Sequence, residues 1–188
     1  NSLISSSSCL GSQLDGLVLQ LVDAEAQKNE NLIYELKVEI DSFIRWNLEL
    51  FGKDFYIAFA PGRSADQQKF NKRIKSIADA YKIKMIIECD AHYLTAKDRN
   101  IHKSFLNSKE GEREVDAFYY DAHLMNDEEA YNNIKNIFSK EEFDEFCKNS
   151  QEIYNKIEDY KLFHNPIIPE VKVLPPQRSI RNEYKDFP

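Results

Sequence analysis

Strand-like segments alternating with amphipathic helical ones predict an α/β fold with a largely parallel sheet or barrel. Three observations carry that expectation. Asp54–Ala60 is a continuous β-rich run stopped by Pro61-Gly62, and Ile83–Cys89 is a second short apolar run. Between and around them, apolar residues recur at helical spacing. After His164 the texture changes, with five of the six prolines in the last 23 residues. The expected division is therefore a folded part over 1–164 and an extended proline-rich linker or arm over 165–188.

In chain order, Leu3–Ser8 is short and β-capable, and Cys9-Leu10-Gly11 is a strand end and turn. Leu14, Leu17, Val18, Leu21 and Val22 mark a helix over 14–27. Leu32, Leu36, Ile40, Phe43, Ile44 and Leu48 mark a longer one over 31–51, with Gly52 at the position where helix C-termini favour glycine. Ser64 is a good N-cap for a helix reaching Tyr81. The strand Ile83–Cys89 then ends on Asp90. Thr95 or Asp98 starts a helix through Ile101, Phe105 and Leu106, and Ala117–Leu124 reads as extended. Asn126-Asp127 caps a helix to Phe138. Ser139 opens the last one, through about Ile157, in a capping-box pattern. The aromatics Phe43, Trp46, Phe55, Tyr56 and Phe59 are expected in the core.

Composition narrows the function classes. The chain has 188 residues, 42% hydrophobic and 30% charged, which is ordinary for a globular domain or a large piece of one. No apolar stretch approaches the roughly 20 residues of a membrane helix, so no membrane partner is expected. The first ten residues lack the pattern of a signal peptide. The chain opens without Met, as a fragment or trimmed chain would. Net charge is −7, which argues against broad nucleic-acid binding by this segment. It leaves a nuclease site open, because bound metal supplies local positive charge. Cys9, Cys89 and Cys147 are odd in number and widely spaced, which suits a reducing cytoplasm better than a disulfide framework.

The residues that carry chemistry are Asp90 and His92. Side chains at i and i+2 of an extended backbone share a face, so a carboxylate and an imidazole leaving a strand end can grip one ion. Such oxygen and nitrogen donors suit Zn²⁺, Mn²⁺ or Fe²⁺. The bland alternative is a strand-end Asp capping the next turn beside a partly exposed His. Cys89, one residue earlier, faces the other way into the core, and Cys147, near Phe143 and Phe146, is packing. Glu88 is structural. Asp127-Glu128-Glu129 complements a helix dipole. His123 and His164 have no partner identifiable in the sequence.

The stretch Phe51-Gly52-Lys53-Asp54-Phe55-Tyr56-Ile57, followed by a helix and Ile86-Ile87-Glu88-Cys89-Asp90-Ala91-His92-Tyr93-Leu94, resembles the polymerase-and-histidinol-phosphatase (PHP) domain of bacterial DNA polymerase III alpha subunits. Ser7-Ser8-Cys9-Leu10-Gly11 resembles that family's Ser-Gly-Cys-Leu-Gly turn. Tyr119-Tyr120 through Glu128-Glu129-Ala130 resembles its Tyr-Tyr-Leu and Glu-Glu-Met segments, and the Ile168-Pro169 tail its exit toward the polymerase body.

The resemblance implies a partial, distorted (β/α)₇ barrel with metal ligands at the C-terminal ends of its strands. Cys9, Asp90 and His92 would be the last three ligands of a Zn²⁺ or Mn²⁺ cluster. His102 would lie near the barrel mouth, in a substrate or supporting role, though its plain reading is a surface helix residue. The family's early His-x-His is absent from this chain, so the segment corresponds to the C-terminal part of such a domain or a degenerate form of it. The implied chemistry is metal-assisted phosphoester hydrolysis, a proofreading 3′→5′ exonuclease in some members and a structural support in others. The implied partner is the rest of the polymerase, with DNA held by that body rather than by this acidic segment. Two other readings stay open: a non-catalytic scaffold, and a stand-alone PHP-type phosphoesterase.

Overall fold

A computed structural model describes residues 3–7, 11–108, 119–159, 161, 163 and 165. Contacts divide the chain into one unit over 1–157 and another over 158–188. The first is mixed α/β, mostly helical, with a small parallel sheet. The described elements are β1 (Ser5–Ser6), α1 (Gln13–Ala26), α2 (Glu30–Phe51), β2 (Phe55–Phe59), α3 (Ala65–Tyr81), β3 (Met85–Ile87), α4 (Arg99–Asn107), α5 (Asp127–Ile134) and α6 (Lys140–Lys156). A single 3₁₀ turn precedes β2 and another precedes α4. No described helix is long and apolar enough to cross a membrane.

The sheet runs β1-β2-β3, all parallel, with Ser5 opposite Phe55 and Ile57 opposite Met85. Every residue of β2 is buried, as expected of a strand covered on both faces. Phe55, Ile57 and Phe59 alternate into the main core with α1, α2 and α3, while Tyr56 and Ala58 pack with Ile86 and Ile153 on the other face. Phe59 anchors an aromatic group in which Phe138 and Phe146 lie 5.0 and 5.1 Å away, ring centre to ring centre. The buried Ser7 joins the ladder through its side chain as well as its backbone. Its Oγ accepts from the backbone N of Ala58 at 3.0 Å, replacing a strand carbonyl.

The helix boundaries follow their capping chemistry. Ser12, Ser64, Asn126 and Ser139 each accept a backbone N–H of the first turn, and three of them form complete capping boxes, with Asp15, Glu129 and Glu142. Glu129 thus also caps its helix through its carboxylate, beyond the dipole-complementing role expected of the acidic first turn. Gly52 ends α2 at φ +57°. Lys82 ends α3 in the left-handed region without being glycine.

Several expectations need correction. The strand expected over 83–89 pairs only over Met85–Ile87, because after Glu88 donates to the Phe59 carbonyl the chain bends away. The helix expected to run to Phe138 stops at Ile134 and continues as turns. The extended segment expected over 117–124 is, over its described part 119–124, a turn and a single parallel bridge of His123 to Tyr93. Trp46 is not core but 59% exposed. It follows the buried Ile44 by two residues, which is about 200° around a helix. The segments Ser8–Leu10 and 166–188, and His164, lie outside the described residues. A barrel is not shown; the sheet has three strands.

Candidate metal centre

Beyond β3 the backbone turns sharply. Asp90 sits at φ +43°, the left-handed region that Asp tolerates better than most side chains. Asp90 and His92 therefore do not share a strand face, since neither lies in the strand. The bend brings them together by another route: His92 Nε2 is 3.4 Å from Asp90 Oδ1. Both side chains are partly exposed.

The bridge to the 119–124 segment fixes His92. Its backbone N donates to the Ala122 carbonyl at 2.7 Å, and Leu124 N donates to the Tyr93 carbonyl at 3.1 Å. Tyr93 is buried and its hydroxyl donates to the carbonyls of Tyr119 and Tyr120. The His92 ring meets the edge of Tyr119 at 4.6 Å, and His102 from α4 lies 5.4 Å from His92 and 5.1 Å from Tyr119. The sequence-derived His102 thus joins the same ring cluster. Its own first turn is preceded by Thr95 and Asp98 in a reciprocal cap, with Thr95 Oγ1 donating to Asp98 at 2.8 Å.

A shallow cleft opens beside this cluster at the C-terminal ends of β2 and β3. Ala60, Pro61, Gly62, Cys89, Asp90 and Asp121 line it. Cys89 is half-buried and also packs on the main core, and burial pushes its thiol pKa up, which disfavours the thiolate. Cys147 packs on the core as expected.

The 3.4 Å between Asp90 and His92 is an ion-pair distance, and it would also suit two donors of one ion. Donor atoms about 2.0–2.1 Å from a tetrahedral zinc stand roughly 3.3–3.4 Å apart, and the observed separation is 3.4 Å. Among the described residues no group of three His, Cys, Asp or Glu side chains converges to hold a metal. Cys9, the third residue expected there, lies outside the described residues.

Two participants at the site escape a reading of the sequence, as does the buried Asp15 in the cap of α1. Arg63, just past the Pro61-Gly62 stop, clamps the buried Asp121 on the cleft wall. Its position after a strand-ending turn was the available signal. His123 stacks on Tyr93 at 6.2 Å, with Nε2 3.7 Å from Glu129 and Nδ1 buried without a hydrogen-bond partner among the described residues. Asp15 is 1% exposed, and burial raises its carboxyl to about 7. Its place in an apolar helical stripe between Leu14 and Leu17 was the clue.

No family model matches the chain. It is 39% identical over 184 residues to the protein named "Probable DNA polymerase YorL" of Bacillus subtilis (strain 168), and equally to the "DNA-directed DNA polymerase" of Bacillus phage SPbeta. Each match takes in 97% of this chain and 14% of the relative. It is also 24% identical over 165 residues to the "DNA polymerase III subunit alpha" of Aquifex aeolicus (strain VF5), covering 82% of this chain and 14% of that protein. The chain thus spans about one-seventh of the length of these relatives.

Proposed function

We propose that these 188 residues are a segment of a DNA polymerase III alpha-like replicative polymerase, corresponding to the C-terminal part of its PHP domain. The observation that carries the polymerase reading is the near end-to-end similarity to proteins named as DNA polymerases, at 39% identity over 97% of the chain, while the PHP placement rests on the motif resemblance. The Aquifex alpha subunit supports the same assignment at greater distance. DNA synthesis belongs to the whole polypeptide, which holds DNA through its body. This acidic segment, of net charge −7, is a poor surface for a polyanion. Its immediate partner is the rest of the same polymerase, in the cytoplasm.

Within the segment, Asp90 and His92 would supply two ligands to a Zn²⁺ or Mn²⁺ ion, and Cys9 a third. A bound metal there would lower the pKa of a coordinated water and stabilise a leaving oxygen in phosphoester hydrolysis. Neighbouring residues would hold these side chains in place. The His92 backbone is tied to Ala122, Tyr119 and His102 restrict its ring, and the turn at Asp90 aims the carboxylate at Nε2. Two arrangements remain functionally distinct: a live 3′→5′ exonuclease centre and a support for the polymerase.

The test uses the full polypeptide that carries this segment. DNA synthesis on a primed template is the expected activity, and its absence overturns the polymerase assignment. Elemental analysis of the same protein should find Zn or Mn, reduced by Asp90→Ala together with His92→Ala. Metal content unchanged by that pair of substitutions overturns the ligand assignment. Metal-free protein that still synthesises DNA supports the structural role.

A further inference from the structure

The outer side of α2 carries apolar residues left exposed among the described residues. Tyr34 is 71% exposed, Val38 47% and Trp46 59%. The opposite side of the same helix is spent on the core, where Leu36, Ile40 and Ile44 are buried against α1 and the sheet. Scattered surface apolar residues are ordinary. These three are not scattered, because 34, 38 and 46 fall on one row of residues spaced by four, with Ser42 filling the remaining place.

Rows of that spacing are the ridges by which one helix packs into the grooves of another. Ser42 is small and turns inward, its hydroxyl donating to the Val38 carbonyl at 2.9 Å, so the ridge has a notch between Val38 and Trp46. A tryptophan beside a notch is the kind of anchor that dominates helix docking. Around the ridge Glu35, Glu39 and Glu49 stand exposed together with Lys37 and with Arg45, which pairs with Asp41 on the same helix, so acid is in excess there, and the segment as a whole is at −7. A second copy would bring acid against acid, which disfavours self-association and favours an occupant with basic residues.

We propose that this ridge is the seat of an amphipathic helix from the same polypeptide, outside these 188 residues, with an apolar stripe flanked by Lys or Arg. The proposal rests on the polymerase reading above, in which the matched stretch is only 14% of the relatives' length. Most of such a chain is available to cover the face.

The test replaces Val38 with the photo-crosslinker p-benzoylphenylalanine in the full polypeptide, irradiates it, and maps the adducts by mass spectrometry. Circular dichroism and thermal melting confirm that the variant is folded. The expected result is an adduct within one polypeptide to a helical segment beyond this stretch. Trp46→Ala should reduce its yield at least about tenfold, the loss of one docking anchor. Adducts confined to these 188 residues, adducts to a second copy, or no adduct in the folded variant each overturn the proposal. DNA synthesis by the unmodified polypeptide is measured separately. A protein without it that still gives the adduct loses the polymerase reading and keeps the docking surface.

Discussion

Arg63 grips Asp121 with both backbone and side chain. Its backbone N donates to Oδ2 at 2.7 Å and its Nη2 to Oδ1 at 2.6 Å, while Nε lies 3.1 Å from Oδ1. The carboxylate is nearly buried and the guanidinium half exposed. The charge pair holds the chain after β2 to the segment that bridges to His92.

Asp121→Ala is therefore expected to cost about 1–3 kcal/mol in urea unfolding, because it orphans the Arg63 backbone N–H. The half-exposed guanidinium rehydrates, which keeps the loss below that of a fully buried pair. Asp121→Asn keeps an acceptor and should cost roughly half as much. Equal losses for the two variants would show that the backbone contact contributes little.

Asp15 sets a pH dependence. Burial raises its carboxyl from 3.8 to about 7, with the Ser12 contacts opposing the shift and the Glu88 charge adding a little to it. The folded state therefore favours the protonated form. The stabilisation is fully present below about pH 3.8 and is lost as pH rises toward 7. The full span is on the order of 4 kcal/mol. Asp15→Asn is neutral at every pH and can still accept from the Ser12 N–H. It should match the wild type near pH 4 and exceed it at pH 8. Parallel urea midpoints across that range would refute the assignment.

Glu152 runs the other way. Hydrogen bonds from Lys156 and then Lys84 pull its carboxyl down to about 2. Its contribution is present above its ordinary value of 4.5 and is lost as pH falls toward 2. The group is about one-third exposed, so screening limits the effect to under about 1 kcal/mol. Glu152→Gln should lower Tm slightly at pH 7, less in 1 M salt, and not at all near pH 2. A Tm difference that persists there would assign the effect to the Tyr56 hydroxyl, which lies 3.3 Å from the same carboxylate.

Lys82 closes α3 at φ +55°, while Ile83 N donates back to the Ala78 carbonyl at 2.9 Å. A side chain in that region costs about 1–2 kcal/mol, and part of the gain from glycine is lost to the greater freedom of the unfolded chain. Lys82→Gly should raise stability by about 0.5–1 kcal/mol in chemical denaturation. A destabilised variant would mean that the lysine side chain contributes more than its backbone strain.

Local chemistry made most of the fold legible. Ser64, Asn126 and Ser139 announce their helices because a short polar side chain before an apolar period satisfies orphan N–H groups wherever the helix ends up. The β2 run is legible because a strand buried on both faces must be apolar throughout. Distant partners are what one strand of text hides. Nothing near Asp121 names Arg63, 58 positions earlier, whereas the Leu36, Ile40 and Ile44 stripe does name the core side of α2, and Trp46 lies off it. The sequence groups Asp90 with His92 through a shared strand face. They stand together instead because the backbone turns between them. His102 was reached only by resemblance, and the ring contact with His92 is tertiary.

The left-handed backbone at Asp90 sets two selective pressures against each other. Glycine would relax that conformation, and asparagine would hold it as readily as aspartate, but neither offers a carboxylate. If Asp90 holds an ion as proposed, the residue that does so is also one that selection for stability alone would exchange. On that proposal, aspartate should persist at this corner in lineages that still need the ion, despite its conformational cost. Where the need has lapsed, drift toward glycine or asparagine should be early and cheap, so the residue found here across relatives works as a gauge of whether the centre is still in use.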